Sequence, residues 1–312
     1  MTGGIFDELK NAFNRPNNGL TQLIVINIVV FVITGILLVF STLLGFEDVF
    51  QMLEKQFIIP PAFSEFIFRP WTLITYAFMH SFSGFFHILF NMLILYWFGR
   101  IFVEFLGSDR VVSVYVLGAL AGGVIYLLAF NFVPFYSEKI GTFPGMIGAS
   151  AAVYAVAVAI ATQMPNYTIH LLFFGPVRIK YIVAVYIFFS LLGSIGANAG
   201  GNLAHLGGAL MGFLYIKGLQ NGLDLGLWVT QFIEGVGKLF NRNKIKVSYR
   251  SNEKEYQSSR TNYPPFSSAP KKDFKAAVTQ DEIDTILDKI SESGYESLSK
   301  TEKEKLFNYS KK

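Results

Sequence analysis

Long apolar runs alternate with short polar segments through the first 218 residues of the chain. The runs hold roughly 17 or more residues each, which is long enough for a helix to cross a bilayer. This pattern predicts an all-α polytopic membrane protein. Six spans are expected, at 22–45, 86–106, 111–132, 148–163, 179–195 and 202–218.

The composition agrees with this prediction and narrows the chemistry. Hydrophobic residues make up 52% of the 312 residues and charged residues only 15%, whereas soluble domains carry about a quarter charged residues. Cysteine is absent, which excludes a disulfide framework, a thiolate nucleophile and a cysteine-based metal site. The net charge of +4 is modest, and we expect no nucleic-acid partner and no metal.

Charged residues become dense after residue 218, so the chain divides there. An apolar stretch at 223–240 contains Trp228 and leads into basic residues, as in a helix that lies on a membrane surface. Two S/T-x-x-E patterns, Thr279 to Glu282 and Ser299 to Glu302, predict helix starts in a small helical tail whose partner stays open. The expected parts are a cytoplasmic N-terminal segment (1–21), the six-helix membrane domain (22–218), an interfacial helix with a flexible basic linker (219–277) and the tail (278–312).

The short loops predict the orientation in the membrane. Arg100 and Arg110 flank the turn between spans two and three, and further basic residues follow span six, while segment 46–85 leans acidic. Basic loops stay on the cytoplasmic side, so both termini should be cytoplasmic. The expected location is a bacterial inner membrane, with lipids as neighbours, and spans two, four and six then run inwards from the outer surface.

Few ionisable side chains lie inside the spans, and with the polar residues beside them they are functional hypotheses, because burial in lipid is costly. Spacing of i, i+4 puts the two members of a pair on one helix face. The residues are His87 and Asn91 at the start of span two, Ser150 and Tyr154 in span four, and His205 in span six. By topology they share one depth, below the outer surface.

Small residues indicate which spans pack most closely. Gly208 and Gly212 form a small-xxx-small face beside His205, and Gly148 begins a slim, alanine-rich span four. Such faces allow two backbones to approach. Spans four and six are therefore the expected close pair, which would place Ser150 against His205.

A serine becomes a nucleophile only when a base takes its proton, and an imidazole within hydrogen-bond reach can do so. Ser150 lies near a helix start, where free backbone N–H groups favour an oxyanion, and Asn91 and His87 supply further donors. Taken singly, each residue also has a packing role: Ser150 can join helices, His205 can be a buried packing residue and Tyr154 can fill space. A site built from His80, His87 and His205 is a weak alternative, because it lacks a carboxylate.

Three sequence stretches together resemble the rhomboid intramembrane serine proteases: HILFN with His87 and Asn91, GASA around Ser150, and AHLGGALMG around His205. The resemblance spans roughly residues 20–218. It implies a six-helix bundle and a Ser150–His205 dyad without an acidic third member. It also implies an oxyanion hole from the Ser150 N–H, Asn91 and His87, with Gly148, Tyr154, Gly208 and Gly212 in support.

The same resemblance implies cleavage of single-pass membrane proteins in or near their spans without a cofactor. It also implies a mobile cap at 193–202 and substrate entry beside span five. Two positions depart from the family pattern. Ala151 follows the serine where the family has glycine, and its methyl would either crowd the intermediate or be accommodated. Thr72 follows Trp71 where the family often has an arginine. That arginine bonds the loop backbone and the glutamate of span two, which is Glu104 in this chain. Arg69 or Arg100 could replace the missing arginine.

Two other functions compete with proteolysis. A catalytically silent rhomboid-like adaptor or chaperone would need none of the serine, histidine and oxyanion donors. A solute channel or transporter would be expected to carry internal repeats and charged pore residues, and neither is evident in the sequence.

Overall fold

The computed structural model describes residues 18–82, 84–171, 175–240 and 280–309. The expected N-terminal segment and the linker at 250–277 fall largely or wholly outside these residues, as does Thr279. In chain order the elements are α1 (Gly19–Leu44), α2 (Glu47–Glu54), α3 (Phe63–Phe66), α4 (Thr72–Thr75), α5 (Phe85–Leu106), α6 (Ser108–Phe132), α7 (Pro134–Ser137), α8 (Ser150–Gln163), β1 (Thr168–Leu171), β2 (Gly175–Arg178), α9 (Ile179–Gly193), α10 (Ala199–Gln220), α11 (Leu227–Phe240), α12 (Gln280–Ser293) and α13 (Lys300–Tyr309).

Three helices, α1, α5 and α6, are long and apolar enough to cross a membrane by length and composition. The apolar helices α8 and α9 are shorter, with 14 and 15 residues. α1 is the most apolar of the three, with a mean hydropathy of 3.1, yet little of it is buried in the protein. Large apolar side chains are therefore left facing outwards along α1, Leu43 among them at 75% exposure.

α8 lies at the centre of the helical domain. From Ala151 to Ala161 every residue except Tyr154 is buried. Its tightest neighbour is α10, because a side chain at Gly208 would overlap the carbonyl of Ala151, and one at Gly212 would overlap that of Ala155. The two backbones therefore touch, as the small residues of spans four and six led us to expect.

α6 packs closely on the same core, a contact that the sequence analysis did not foresee. A Cβ at Gly122 would lie 2.6 Å from the Ala151 methyl and 2.8 Å from the carbonyl of Ala204, while one at Gly118 would overlap Ala155. Because α6 contacts both α8 and α10, it holds the pair from the side. Three helices with small residues at their contacts thus form the centre of the domain.

The expectation of an all-α domain was wrong in one place. Between α8 and α9 the chain forms a small antiparallel sheet in which Thr168 pairs with Arg178 and Leu171 with Gly175. Residues of β1 and β2 alternate between exposed and half-buried, as in a strand with one covered face. Gly175 adopts φ +66°, which glycine tolerates best.

The loop between α1 and α5 is ordered by short helices and side-chain anchors. Arg69 donates from Nη1 to the Lys55 carbonyl at 2.6 Å and pairs through Nη2 with Glu65 at 2.6 Å, and the Trp71 indole donates to the Gln56 carbonyl at 2.7 Å. Arg69 thus makes the bond to the loop backbone that the family arginine was expected to make. Among the described residues neither Arg69 nor Arg100 forms an ion pair with Glu104.

Replacement of Gly208 by alanine should destabilise the domain, because the added Cβ would overlap the Ala151 carbonyl and push α10 away from α8. We expect Gly208→Ala to lower the free energy of unfolding by about 1–3 kcal/mol. Thermal denaturation of the purified protein in detergent measures this. Gly235→Ala on α11 is the matched control, since a Cβ there meets nothing within 4 Å. Equal Tm values for the two variants would contradict the tight contact.

The C-terminal unit, residues 246–312, contains α12 and α13. Ser299 and Glu302 form the expected capping box: the Ser299 N–H donates to Glu302 Oε2 at 2.7 Å, and the Glu302 N–H donates to Ser299 Oγ at 3.3 Å. Lys289 of α12 donates to Glu302 Oε1 at 2.9 Å, and Lys305 of α13 pairs with Glu282 of α12 at 3.0 Å. The two helices are thus held together by charge pairs.

The Glu302 carboxylate makes this helical pair sensitive to acid. Hydrogen bonds from Ser299, then the bond from Lys289, lower the pKa of Glu302 to about 2. A pKa that is lower in the folded state adds stability above its unfolded value of 4.5, and this stability is lost as the pH falls towards 2. Hydrogen exchange of peptides from 280–309 in the full chain should show protection falling in that window. Glu302→Gln should remove the pH dependence and Glu304→Gln should keep it; the same acid profile in both variants would contradict the assignment.

Candidate active site

Ser150 is the first residue of α8 and is half-buried. Gly148 has φ +130°, a conformation that side-chain-bearing residues rarely adopt. A Cβ at this glycine would lie 3.0 Å from His87 Cε1 and 3.6 Å from Ser150 Oγ. Ser150 Oγ therefore lies at a helix N-terminus, next to a residue that has no side chain.

His205 reaches Ser150 from α10. Its Nε2 lies 2.7 Å from Ser150 Oγ, a strong hydrogen-bond distance. The Tyr154 ring, one turn along α8 from the serine, stacks on the imidazole with ring centroids 4.3 Å apart and planes 11° apart. The structure thus brings together Ser150, Tyr154 and His205, which the sequence placed on two different spans.

His87 and Asn91 approach the same place from α5. His87 is the neighbour of Gly148 described above. Asn91 is 6% exposed, and its Nδ2 has no hydrogen-bond partner among the described residues. A buried unpaired donor costs about 1–3 kcal/mol, so an amide kept in this state is suited to bind a group that arrives from outside.

Two cavities flank these side chains. One of about 130 Å³ is lined by Asn91 and Tyr154, together with apolar residues and Tyr186. The other, of about 290 Å³, borders His87 and includes Tyr126 and Asn198. Asn91 and Tyr154 thus face one cavity, and His87 faces the other.

Ser190 of α9 is a member of the site that the sequence analysis missed. It is 1% exposed, and its Oγ lies 3.1 Å from Nδ1 of His205 and 2.8 Å from the Tyr154 hydroxyl. The available signal was a serine inside an otherwise apolar span, the same kind of signal that singled out Ser150. For α9 we expected only the fifth span, with substrate entry beside it.

His80 lies in the loop before α5 and is buried at 1% exposure. Its ring lies 5.5 Å from that of His87, centroid to centroid. Burial, reinforced by the positive charge that His87 can carry, lowers the pKa of His80 to about 4, so it is neutral near pH 7.

No group of three His, Asp or Glu side chains that could hold a metal ion occurs within the part of the chain that the structure describes. His170 is exposed on β1.

The expected cap is shorter than predicted. α10 begins at Ala199, so its first turn takes up the end of the predicted loop 193–202, and only Ser194–Asn198 connects α9 to α10. The Tyr136 hydroxyl donates to the Ser194 carbonyl at 3.1 Å and fixes one end of this connection.

Two parts of the chain match known sequence families. Residues 68–221, from the loop before α5 to the end of α10, match the sequence model of the Rhomboid domain. The chain therefore contains a rhomboid domain at these residues, which make up just under half of it. Residues 275–312 match a family of unknown function (DUF6576).

Three curated relatives show how far the similarity reaches. RHOMBOID-like protein 12, mitochondrial, of Arabidopsis thaliana is 34% identical over 160 residues, which are 48% of this chain and 47% of the relative. Presenilin-associated rhomboid-like protein, mitochondrial, is 28% identical over 226 residues in Rattus norvegicus and 27% over 225 in Homo sapiens, in both cases 69% of this chain and 52% of the relative. The chain thus spans about half the length of the curated relatives it matches.

Within this rhomboid domain the methyl of Ala151 lies in the contact between α8 and α6. It packs on Gly122 of α6, where an added Cβ would meet it at 2.6 Å, and Ala151 is 1% exposed. The methyl therefore fills a helix contact and does not narrow the site. The sequence left open whether this methyl crowds the intermediate or is accommodated. The packing favours accommodation.

Ala151→Gly should accordingly leave the reactivity of Ser150 close to that of the wild type, while it lowers the free energy of unfolding by about 0.5–1 kcal/mol through glycine's greater flexibility in a helix. The rate of labelling by a fluorophosphonate and the Tm in detergent measure the two effects. A large gain in labelling rate on removal of the methyl would show that it does crowd the site.

Proposed function

We propose that this chain is an intramembrane serine endopeptidase that uses a Ser150–His205 dyad. The observation that carries the proposal is the 2.7 Å approach of His205 Nε2 to Ser150 Oγ at the start of a buried helix. A serine–imidazole pair of this geometry is the minimum required for acyl transfer. The rhomboid domain, whose family consists largely of such proteases, supports the same chemistry.

In the proposed reaction Ser150 Oγ attacks the carbonyl carbon of the scissile peptide bond as His205 Nε2 accepts its proton. The tetrahedral intermediate collapses when His205 returns that proton to the leaving amine, and the serine is left as an ester. A water molecule then attacks the ester, again with His205 as base, and frees the acid product and Ser150.

The oxyanion of this reaction needs hydrogen-bond donors that are in place before it forms. The Ser150 N–H at the first turn of α8 is one, because the first N–H groups of a helix have no partner within the helix. The unpaired Nδ2 of Asn91 and the ring of His87 are the others. Each such donor is typically worth about 3–4 kcal/mol in the barrier.

The membrane arrangement belongs to the same proposal. Six helices (α1, α5, α6, α8, α9 and α10) form the bundle, both termini are cytoplasmic, and single-pass membrane proteins are the substrates. The three long apolar helices and the outward-facing apolar side chains of α1 support multi-pass insertion. The curated relatives carry mitochondrial names, so they do not support the bacterial inner membrane expected from the sequence.

The dyad predicts that Ser150→Ala and His205→Ala each lower the cleavage of a single-pass reporter protein by a factor on the order of 10⁴ or more, since either loss removes nucleophilic catalysis. A fluorophosphonate probe should label the wild type and fail to label Ser150→Ala. Ser113→Ala is the matched control, since this buried serine of α6 bonds to the Gly226 carbonyl and to Thr230, far from the dyad in the chain.

Two results would overturn the peptidase proposal. Cleavage that persists in purified Ser150→Ala would place the nucleophile elsewhere. A folded wild type that neither reacts with the probe nor cleaves the reporter would favour the alternative, a rhomboid-like adaptor that binds membrane proteins without cutting them.

A further inference from the structure

We infer that Ser190 is a positioning residue for His205, and that a chain of hydrogen bonds through Ser190 and Tyr154 fixes the ring tautomer in which Nε2 is free to act as a base. The inference rests on the proposed peptidase function for its consequence, but the tautomer itself is a property of the folded protein. Four contacts carry it, and each joins two named atoms.

The chain of hydrogen bonds begins at a group that can accept a hydrogen bond but cannot donate one. The carbonyl oxygen of Tyr186 lies 3.3 Å from the Tyr154 hydroxyl, and since a carbonyl has no proton, Tyr154 is the donor in this bond. A phenol has one proton, so the Tyr154 oxygen must accept in its 2.8 Å contact with Ser190 Oγ. Ser190 therefore uses its own single proton to bond Tyr154.

The direction of the remaining contacts follows. With its proton committed, Ser190 Oγ can only accept in its 3.1 Å contact with His205 Nδ1, so Nδ1 carries the hydrogen. A neutral imidazole has one N–H, which leaves a lone pair on Nε2, 2.7 Å from Ser150 Oγ. The geometry thus selects the tautomer that can remove the serine proton.

In a catalytic triad a carboxylate orients the histidine. In this arrangement the hydroxyls of Ser190 and Tyr154 and the carbonyl of Tyr186 do so. Tyr154 has two parts in it: its ring stacks on the imidazole at 4.3 Å, and its hydroxyl sets the direction of the Ser190 bond. α9, which supplies Ser190, thereby becomes part of the site and not only a boundary of it.

The first test is the tautomer of the intact protein. Full-length chain labelled with ¹⁵N-histidine, in detergent at a pH where the imidazoles are neutral, gives ring-nitrogen shifts that separate protonated from bare nitrogens. The four histidines are assigned by single substitution. We expect a protonated Nδ1 and a bare Nε2 for His205; a protonated Nε2 in the wild type would overturn the inference.

The second test compares Ser190→Ala with Ser190→Thr and uses Ser113→Ala as the control. Loss of one orienting hydrogen bond should slow fluorophosphonate labelling of Ser150 roughly three- to tenfold and increase the fraction of His205 with hydrogen on Nε2. Threonine keeps the hydroxyl and should restore both readouts, whereas Ser113→Ala should change neither. An unchanged tautomer ratio and labelling rate in Ser190→Ala would refute the role of Ser190.

The two proposals fail in different ways. A wild type with a bare Nε2 that does not react with the probe would remove the peptidase assignment and leave the tautomer assignment standing. A wild type that reacts with the probe, but whose His205 tautomer ratio does not change in Ser190→Ala, would remove the role of Ser190 and leave the peptidase assignment standing. If Ser190→Ala does not fold, the wild-type spectrum alone decides the tautomer.

Discussion

The contact between the backbones of α8 and α10 is the constraint on which the site depends. Gly208 and Gly212 lie against the carbonyls of Ala151 and Ala155, with no room for a side chain. In a lipid environment helices gain little from burying apolar surface against each other, so close van der Waals packing of this kind must hold them together. It also sets the distance across which His205 reaches Ser150, since a helix pair at ordinary separation would leave the two side chains apart.

The start of α8 is held by a second set of contacts, from the loop between α1 and α5. Ile59 and Met146 exchange backbone hydrogen bonds of 3.1 and 2.9 Å, and the Gly148 N–H donates to the Tyr76 carbonyl at 3.0 Å. These bonds fix the turn that precedes Ser150 and so fix the direction of the first N–H groups of the helix. The anchors of that loop, Arg69 and Trp71, thus support the site from a distance without contact with the dyad.

The sequence was most informative where small or polar residues interrupt apolar runs. The pairing of α8 with α10 and the meeting of Ser150, Tyr154 and His205 could be inferred, because helical spacing and a shared depth restrict which side chains can meet. The contribution of α6 could not, since Gly118 and Gly122 are common residues in an apolar helix and their partners are set by tertiary packing. The hairpin of β1 and β2 was missed because a short apolar segment between two helices reads equally well as a helix end.

Ser190 was missed for a related reason, and its position explains how the proposed dyad can do without an acidic residue. A carboxylate at this depth would carry a large desolvation cost unless it were paired, and the described residues around His205 Nδ1 offer a hydroxyl as its hydrogen-bond partner. A neutral acceptor can still fix the orientation and tautomer of an imidazole, because both depend on the direction of one N–H bond and not on a full charge. On the proposed assignment, Ser190 and Tyr154 supply that direction within an apolar bundle, and the helix start at Ser150 supplies the electrostatic stabilisation that the oxyanion requires.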